Sequence, residues 1–197
     1  KTTFLRKLRE LSPKRMVILA PTGVAAINAC GQTIHSFFQL PFTPFIPGLR
    51  NENKQRFFRM SKEKKDLIRS LDLLVIDEIS MVRSDLLDAI DDTLRRYRNP
   101  HKPFGGIQLL LIGDLQQLPP VVKDNEWTIM SQYYETPYFF SSIALKQLEY
   151  VTIELSHIYR QQDSKFINIL AAIRENRVSR EILDELNKRC VTEKTDS

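Results

Sequence analysis

Cysteine is nearly missing from this 197-residue chain: Cys30 and Cys190 stand far apart, with no C-x-x-C spacing. That argues against a disulfide framework or a cysteine zinc site and fits a reducing compartment. The three histidines, His35, His101 and His157, are equally scattered, so metal ligation has little to build on. No apolar run approaches the ~18 residues that a membrane span requires. Internal repeats and a low-complexity tail are absent too. What is present is the ordinary balance of a globular protein, 42% hydrophobic and 27% charged residues. At this length one domain, or one domain with a small insert, buries well over half of its unfolded surface without staples.

The formal charge of +5 is concentrated. Between Arg50 and Arg69 there are eight basic residues (Arg50, Lys54, Arg56, Arg59, Lys62, Lys64, Lys65, Arg69) against three acids, which accounts for the whole excess. Two readings stand: a solvated helix face, or a patch for an anionic polymer bound through counterion release.

Four short apolar runs punctuate the chain: "RMVILA" (15–20), "LDLLVID" (71–77), "IQLLLIG" (107–113) and "YVTIEL" (150–155). Three are apolar nearly throughout, as parallel strands covered on both faces are. Between them lie helical patterns. Residues 84–98 align Leu86, Ile90, Leu94 and Tyr97, with Ser84 as the expected N-cap, acids early and arginines late to suit the helix dipole. Phe166, Ile169, Leu170 and Ile173 make a second stripe, and Ile182, Leu183 and Leu186 a third. Strands alternating with helices predict an α/β fold with a mainly parallel sheet. "LPFTPFIPG" (40–48) breaks the rhythm with three prolines, two phenylalanines and a glycine. It suits neither a core strand nor a regular helix, so 38–70 is expected to be an insertion, apolar and rigid at first and basic afterwards.

The firmest chemical signal is "LLVIDEIS" (73–80), where a buried strand ends in Asp77 and Glu78. Open α/β sheets bind ligands at the carboxyl ends of their strands. Two adjacent carboxylates there call for a cation; in nucleotide hydrolases such a pair holds Mg²⁺ and positions the attacking water. Two exposed acids at a strand end is the competing reading. The chain opens "KTTFLRKLRE". Lys1 and Thr2 match the last two positions of the G-x-x-x-x-G-K-[ST] loop, in which the lysine meets the β/γ-phosphates and the hydroxyl meets Mg²⁺. "LLLIGDLQQLPPV" (109–121) ends a second strand in Gly113-Asp114 followed by Gln116 and Gln117. This is either a polar turn or an amide that senses a γ-phosphate. Arg160 in "IYRQQD" is either a surface ion-pair residue or an arginine finger. In "LAPTGVAAINACGQTIHSFF" (19–38), Thr22, Gly23, Thr33 and His35 suit phosphate or base contacts. Phe37 and Phe38 are read either as core or as stacking surfaces.

In this order "KTTFL", "APTGVAA", "TIHSFF", "LLVIDEISM", "FGGIQLLLIGDLQQLPPV" and "LSHIYRQ" resemble the first motor domain of the petite integration frequency (PIF) family. These are superfamily 1B DNA helicases related to RecD-like and relaxase helicases. The resemblance spans residues 1 to about 175 and implies a RecA-like P-loop NTPase domain formed by 1–37 and 71–190. It implies ATP and Mg²⁺ as cofactors, with Lys1, Thr2 and Asp114 at the nucleotide and Thr2 and Asp77 on the metal. Asp77 and Glu78 would serve Mg²⁺ and water, Gln117 would sense the γ-phosphate, and Arg160 would contribute a finger. Thr22, Thr33 and His35 would line a single-stranded DNA track, beside which Gly23, Phe38, Lys62, Lys64 and Lys65 are expected to contact DNA. Residues 38–70 would form a wedge subdomain at the fork, and 191–197 would lead to a second motor domain.

The expected activity is ATP-dependent 5′-to-3′ translocation and unwinding by a monomer acting on single-stranded DNA and single-strand/duplex junctions, away from membranes. The compartment would be the cytoplasm in a bacterium and the nucleus or mitochondria in a eukaryote. Because the glycines of the phosphate loop and a second motor domain are missing, the chain is expected to be a fragment that binds ATP poorly and unwinds nothing. Two other readings stay open: a single-stranded nucleic-acid binding module without a motor, and a P-loop ATPase acting on RNA or protein.

Overall fold

The computed structural model describes residues 2–48, 60–155 and 163–188. The chain divides into two compact units, Lys1–Tyr150 and Val151–Ser197.

The first unit is built on a four-stranded sheet of β1 (Met16–Ala20), β2 (Gln32–Thr33), β3 (Leu73–Ile76) and β4 (Gln108–Leu111). The order is β2-β1-β3-β4 and every pairing is parallel. In register, Leu19 lies opposite Ile76 and Ile76 opposite Leu111. The near-continuous apolar strands follow from cover on both faces. On one face, Leu5 of α1 (Thr2–Leu11) packs with Ile18, Leu73 and Val75. On the other, Leu19, Leu74 and Ile76 meet α3 (Ile34–Phe38), α4 (Lys62–Ser70) and α5 (Ser84–Tyr97) through Phe37, Ile68 and Ile90. The two sets alternate along each strand, as the period of two demands.

α2 (Gly23–Asn28) joins β1 to β2, and α6 (Asp124–Met130) follows β4. Both ends of the 38–70 stretch bury side chains in the main core, Phe38 and Leu40 at one end and Met60 and Ile68 at the other. Arg98 fixes the end of α4: its Nη1 donates to the carbonyls of Ile68, Arg69 and Leu71, each at 2.8 Å. It thereby satisfies acceptors that a helix C-terminus leaves open.

Two local expectations are corrected. The N-cap of α5 is Arg83; Ser84 is the first helical residue, its hydroxyl donating to the Thr136 carbonyl and its amide to that of Pro137. Residues 150–155 form no strand; Tyr150, Val151, Ile153 and Leu155 are exposed. β-Branched residues favour a strand only where an edge is available to pair with, and among the described residues this segment pairs with none.

In the second unit, α7 (Ser164–Arg174) is capped by Asp163, which accepts from the amides of Lys165 and Phe166. α8 (Arg180–Asn187) is capped by Ser179. Lys165 and Lys188 both pair with Glu185, at 3.0 and 2.9 Å.

Candidate functional site

Because all four strands are parallel, their carboxyl ends share one edge of the sheet. The chain leaves β1 towards β2 on one side and β3 towards β4 on the other, so the order reverses between β1 and β3. That reversal is where open α/β sheets leave a crevice for ligands. Asp77 and Glu78 stand there.

Asp77 is 7% exposed, and its amide continues the sheet by donating to the Leu19 carbonyl at 2.8 Å. Oδ1 of its carboxylate accepts the Glu78 amide at 2.9 Å; Oδ2 accepts no hydrogen bond from the described residues. Glu78 adopts a left-handed conformation, φ 51° and ψ 45°, which a residue with a side chain enters at a cost and which clusters at functional sites. The turn is held in place from β4. Ile79 donates its amide to the Ile112 carbonyl at 2.9 Å. A Cβ on Gly113 would lie 2.7 Å from Ile79 Cγ2 and 3.1 Å from the amide nitrogens of Ile79 and Ser80. Only glycine lets the exit of β4 approach the acid pair this closely.

The exit of β4 is organised by Asp114. Its Oδ1 accepts the Gln116 amide at 3.1 Å and its Oδ2 accepts Gln117 Nε2 at 3.0 Å, an Asx turn extended by a side chain. Gln117 is exposed and held in that orientation. A buried carboxylate with one open oxygen is what a hard divalent cation takes. Among the described residues no group of three or more His, Cys, Asp or Glu is placed to hold an ion. Thr2 opens α1; Lys1 and Arg160 lie outside the described residues.

The predicted polymer contacts gather at the ends of β1 and β2. Thr22 caps α2 by accepting the Ala25 amide at 3.2 Å, and Thr33 caps α3 by accepting the Ser36 amide at 3.3 Å. A Cβ on Gly23 would meet nothing within 4 Å, so that position opens onto space. His35 lies against the Phe42 ring with centroids 4.5 Å apart, and Phe42 is 81% exposed. Phe38, read from sequence as a DNA contact, is 2% exposed and packs edge-on against Phe37; in this structure its ring is a core ring. Lys64 Nζ sits 3.6 Å from the centroid of the Phe37 ring and Lys65 Nζ 5.9 Å from that of Tyr97. Both are engaged in cation–π contacts, and desolvation lowers the Lys64 pKa. Lys62 is exposed. Arg50, Lys54, Arg56 and Arg59 lie outside the described residues.

Sequence reasoning missed a cleft of about 320 Å³ beside these residues. It is lined by Pro21, Thr22 and His35, by the proline- and phenylalanine-rich segment 40–46, and by Arg83, Asp85 and Val121. Its signal was "LPFTPFIPG", read from sequence as the rigid start of an insertion, whose stiffness suits a cleft lining.

A parallel, doubly wound sheet with an acid pair at its switch point and a glutamine-bearing turn beside it is a RecA-like P-loop NTPase domain. The chain belongs to the PIF1-like helicase family, whose model matches residues 1–183. The ATP-dependent DNA helicase RRM3 of Saccharomyces cerevisiae is 39% identical over 176 residues, covering 87% of this chain and 22% of that protein. Human ATP-dependent DNA helicase PIF1 is 38% identical over 194 residues, covering 92% and 26%. The structure of Bacteroides Pif1 bound to single-stranded DNA superposes with a TM-score of 0.91 at 44% identity, over 100% of this chain and 45% of that one. The chain thus spans about a quarter of these curated relatives and under half of the solved one. Relatives occur in bacteria and eukaryotes, and no described helix is long and apolar enough to cross a membrane.

Proposed function

We propose that this chain is the first motor domain of an ATP-dependent DNA helicase, working on single-stranded DNA and its junctions with duplex in the 5′-to-3′ direction. The observation that carries the reading is the meeting of the Asp77–Glu78 turn and the Asp114–Gln117 turn at one sheet edge, locked together at Gly113.

Lys1 and Thr2 would bind phosphate, and Thr2 and Asp77 would hold Mg²⁺, whose charge offsets that of the phosphates when bound. Glu78, fixed by its left-handed backbone, orients the attacking water and takes its proton. Gln117, steered by Asp114, reads whether a γ-phosphate is present. Arg160 would neutralise charge that develops during transfer. Thr22, Gly23, Thr33 and His35 form the strand-facing edge, with Phe42 offering an exposed ring to a base. Lys62 adds exposed basic charge, while Lys64 and Lys65 act partly through the rings they cover. Residues 38–70, of which 49–59 lie outside the described residues, would serve as the wedge; 191–197, read from sequence as a linker, lie outside them too.

The test is ATP hydrolysis by the full-length parent with and without single-stranded DNA. DNA should stimulate turnover, and Glu78→Gln should lower it by about 10²-fold or more. Turnover indifferent to DNA, or retained by the variant, contradicts the proposal.

A further inference from the structure

In the lining of the cleft, one guanidinium joins the first turns of two helices, α5 and α6. Arg83 holds Asp85 by two bonds, Nε to Oδ1 at 2.8 Å and Nη2 to Oδ2 at 2.6 Å. Its third arm, Nη1, reaches Glu126 Oε2 at 3.1 Å. The side chains of Arg83, Asp85 and Glu126 are 15%, 2% and 20% exposed. Each carboxylate also grips backbone. Asp85 Oδ2 accepts the Phe45 amide at 2.9 Å, in the wall of the cleft. Glu126 Oε2 accepts the Lys123 amide at 3.3 Å, where the segment after β4 enters α6.

The segment that carries Gln117 buries Pro120. Leu115, Leu118 and Val121 are exposed, Val121 at 80%. It runs without regular structure from the Asp114 turn to α6. A displacement at Gln117 therefore passes along a short, stiff, proline-containing stretch to Lys123 and Glu126. From there a planar fork with little angular slack carries it to Asp85 and the Phe45 backbone.

We propose that Arg83 is a positioning residue that couples the segment after β4 to the phenylalanine- and proline-rich wall of the cleft, so that nucleotide state sets the grip on single-stranded DNA. This rests on the proposed function above: Gln117 meets nucleotide, and the cleft edge meets DNA. Glu126 is the arm that can be cut with least harm, because Arg83 and Asp85 stay paired without it.

The experiment uses the full-length parent and a labelled single-stranded oligonucleotide. Its affinity is measured with and without a non-hydrolysable ATP analogue, for wild type, Glu126→Gln and Glu126→Ala, beside basal ATP turnover and melting temperature. In wild type the analogue should shift DNA affinity about fivefold or more, the low end of ordinary site-to-site coupling. Glu126→Ala should collapse that shift to less than about twofold while basal turnover is kept; Glu126→Gln, which still accepts from Arg83 and Lys123, should restore most of it. If Glu126→Ala keeps the full shift, whatever its melting temperature, the network is a structural staple and the inference fails alone. If wild type shows no nucleotide-dependent shift, the reading of the site fails with it.

Discussion

Two sets of acids, eight residues apart, do opposite work. Asp77 and Glu78 leave β3 at the switch point, and Asp77 keeps an oxygen that no described residue satisfies. Asp85, Asp88 and Asp91 lie on α5, equally buried, but are spoken for. Asp88 is the extreme case: Oδ2 accepts Tyr134 Oη at 2.9 Å and the Ile143 amide at 3.1 Å, and Oδ1 accepts the Ser142 hydroxyl and the Ala144 amide. Asp91 accepts the Phe104 amide and the Arg95 guanidinium; burial, its largest influence, raises its pKa. Burial alone therefore does not mark a catalytic carboxylate. The marker is a carboxylate oxygen at the switch point that accepts no hydrogen bond from the described residues and stays open to solvent, where a cation can reach it.

The comparison breaks most visibly at Asp88. Replacing it by alanine orphans two hydroxyls and two amides at once, so Asp88→Ala should lower stability by about 3 kcal/mol or more, read by urea unfolding of the parent. A change below about 1 kcal/mol would place Asp88 outside the structural set. Gly113→Ala sharpens the other side. The new methyl meets Ile79 and the backbone, so stability should fall by about 1–3 kcal/mol and ATP turnover by about tenfold or more as Glu78 is displaced. Stability lost with turnover intact would show that the acid pair does not depend on this contact.

The smallest effect separates a surface acid from both sets. Hydrogen bonds from the Arg15 side chain and backbone hold the Asp72 carboxyl at about 2. A depressed carboxylate pKa means stability that is present above the unfolded value near 4 and lost as pH falls towards 2. Wild type and Asp72→Asn should thus differ slightly at neutral pH and converge below about pH 2. The pair is solvent-exposed, so the difference should be small and should shrink with salt.

Much of this was legible in the sequence because burial and strand polarity leave periodic marks. Three of the four apolar runs became β1, β3 and β4, and the acids and glutamine found at two strand ends share one edge for the reason that parallel strands do. The structural role of the α5 acids was not legible. Acids early in a helix satisfy the dipole rule whether or not they are buried, and only the fold brings Tyr134, Ser142 and Phe104 to them. Phe38 was ambiguous because an apolar ring suits core and stacking equally. The Arg83 network left no local mark, since Glu126 is 43 residues away and meets Arg83 only through the packing of α6.

The most direct measurement takes Asp77→Asn in the full-length parent and reads ATP turnover and unfolding free energy on the same sample. Neutralising a buried carboxylate with an open oxygen should abolish turnover by about 10²-fold or more and leave stability unchanged or raised. Turnover retained, or stability lost as at Asp88, would contradict the assignment of the β3 acids to chemistry and the α5 acids to the fold.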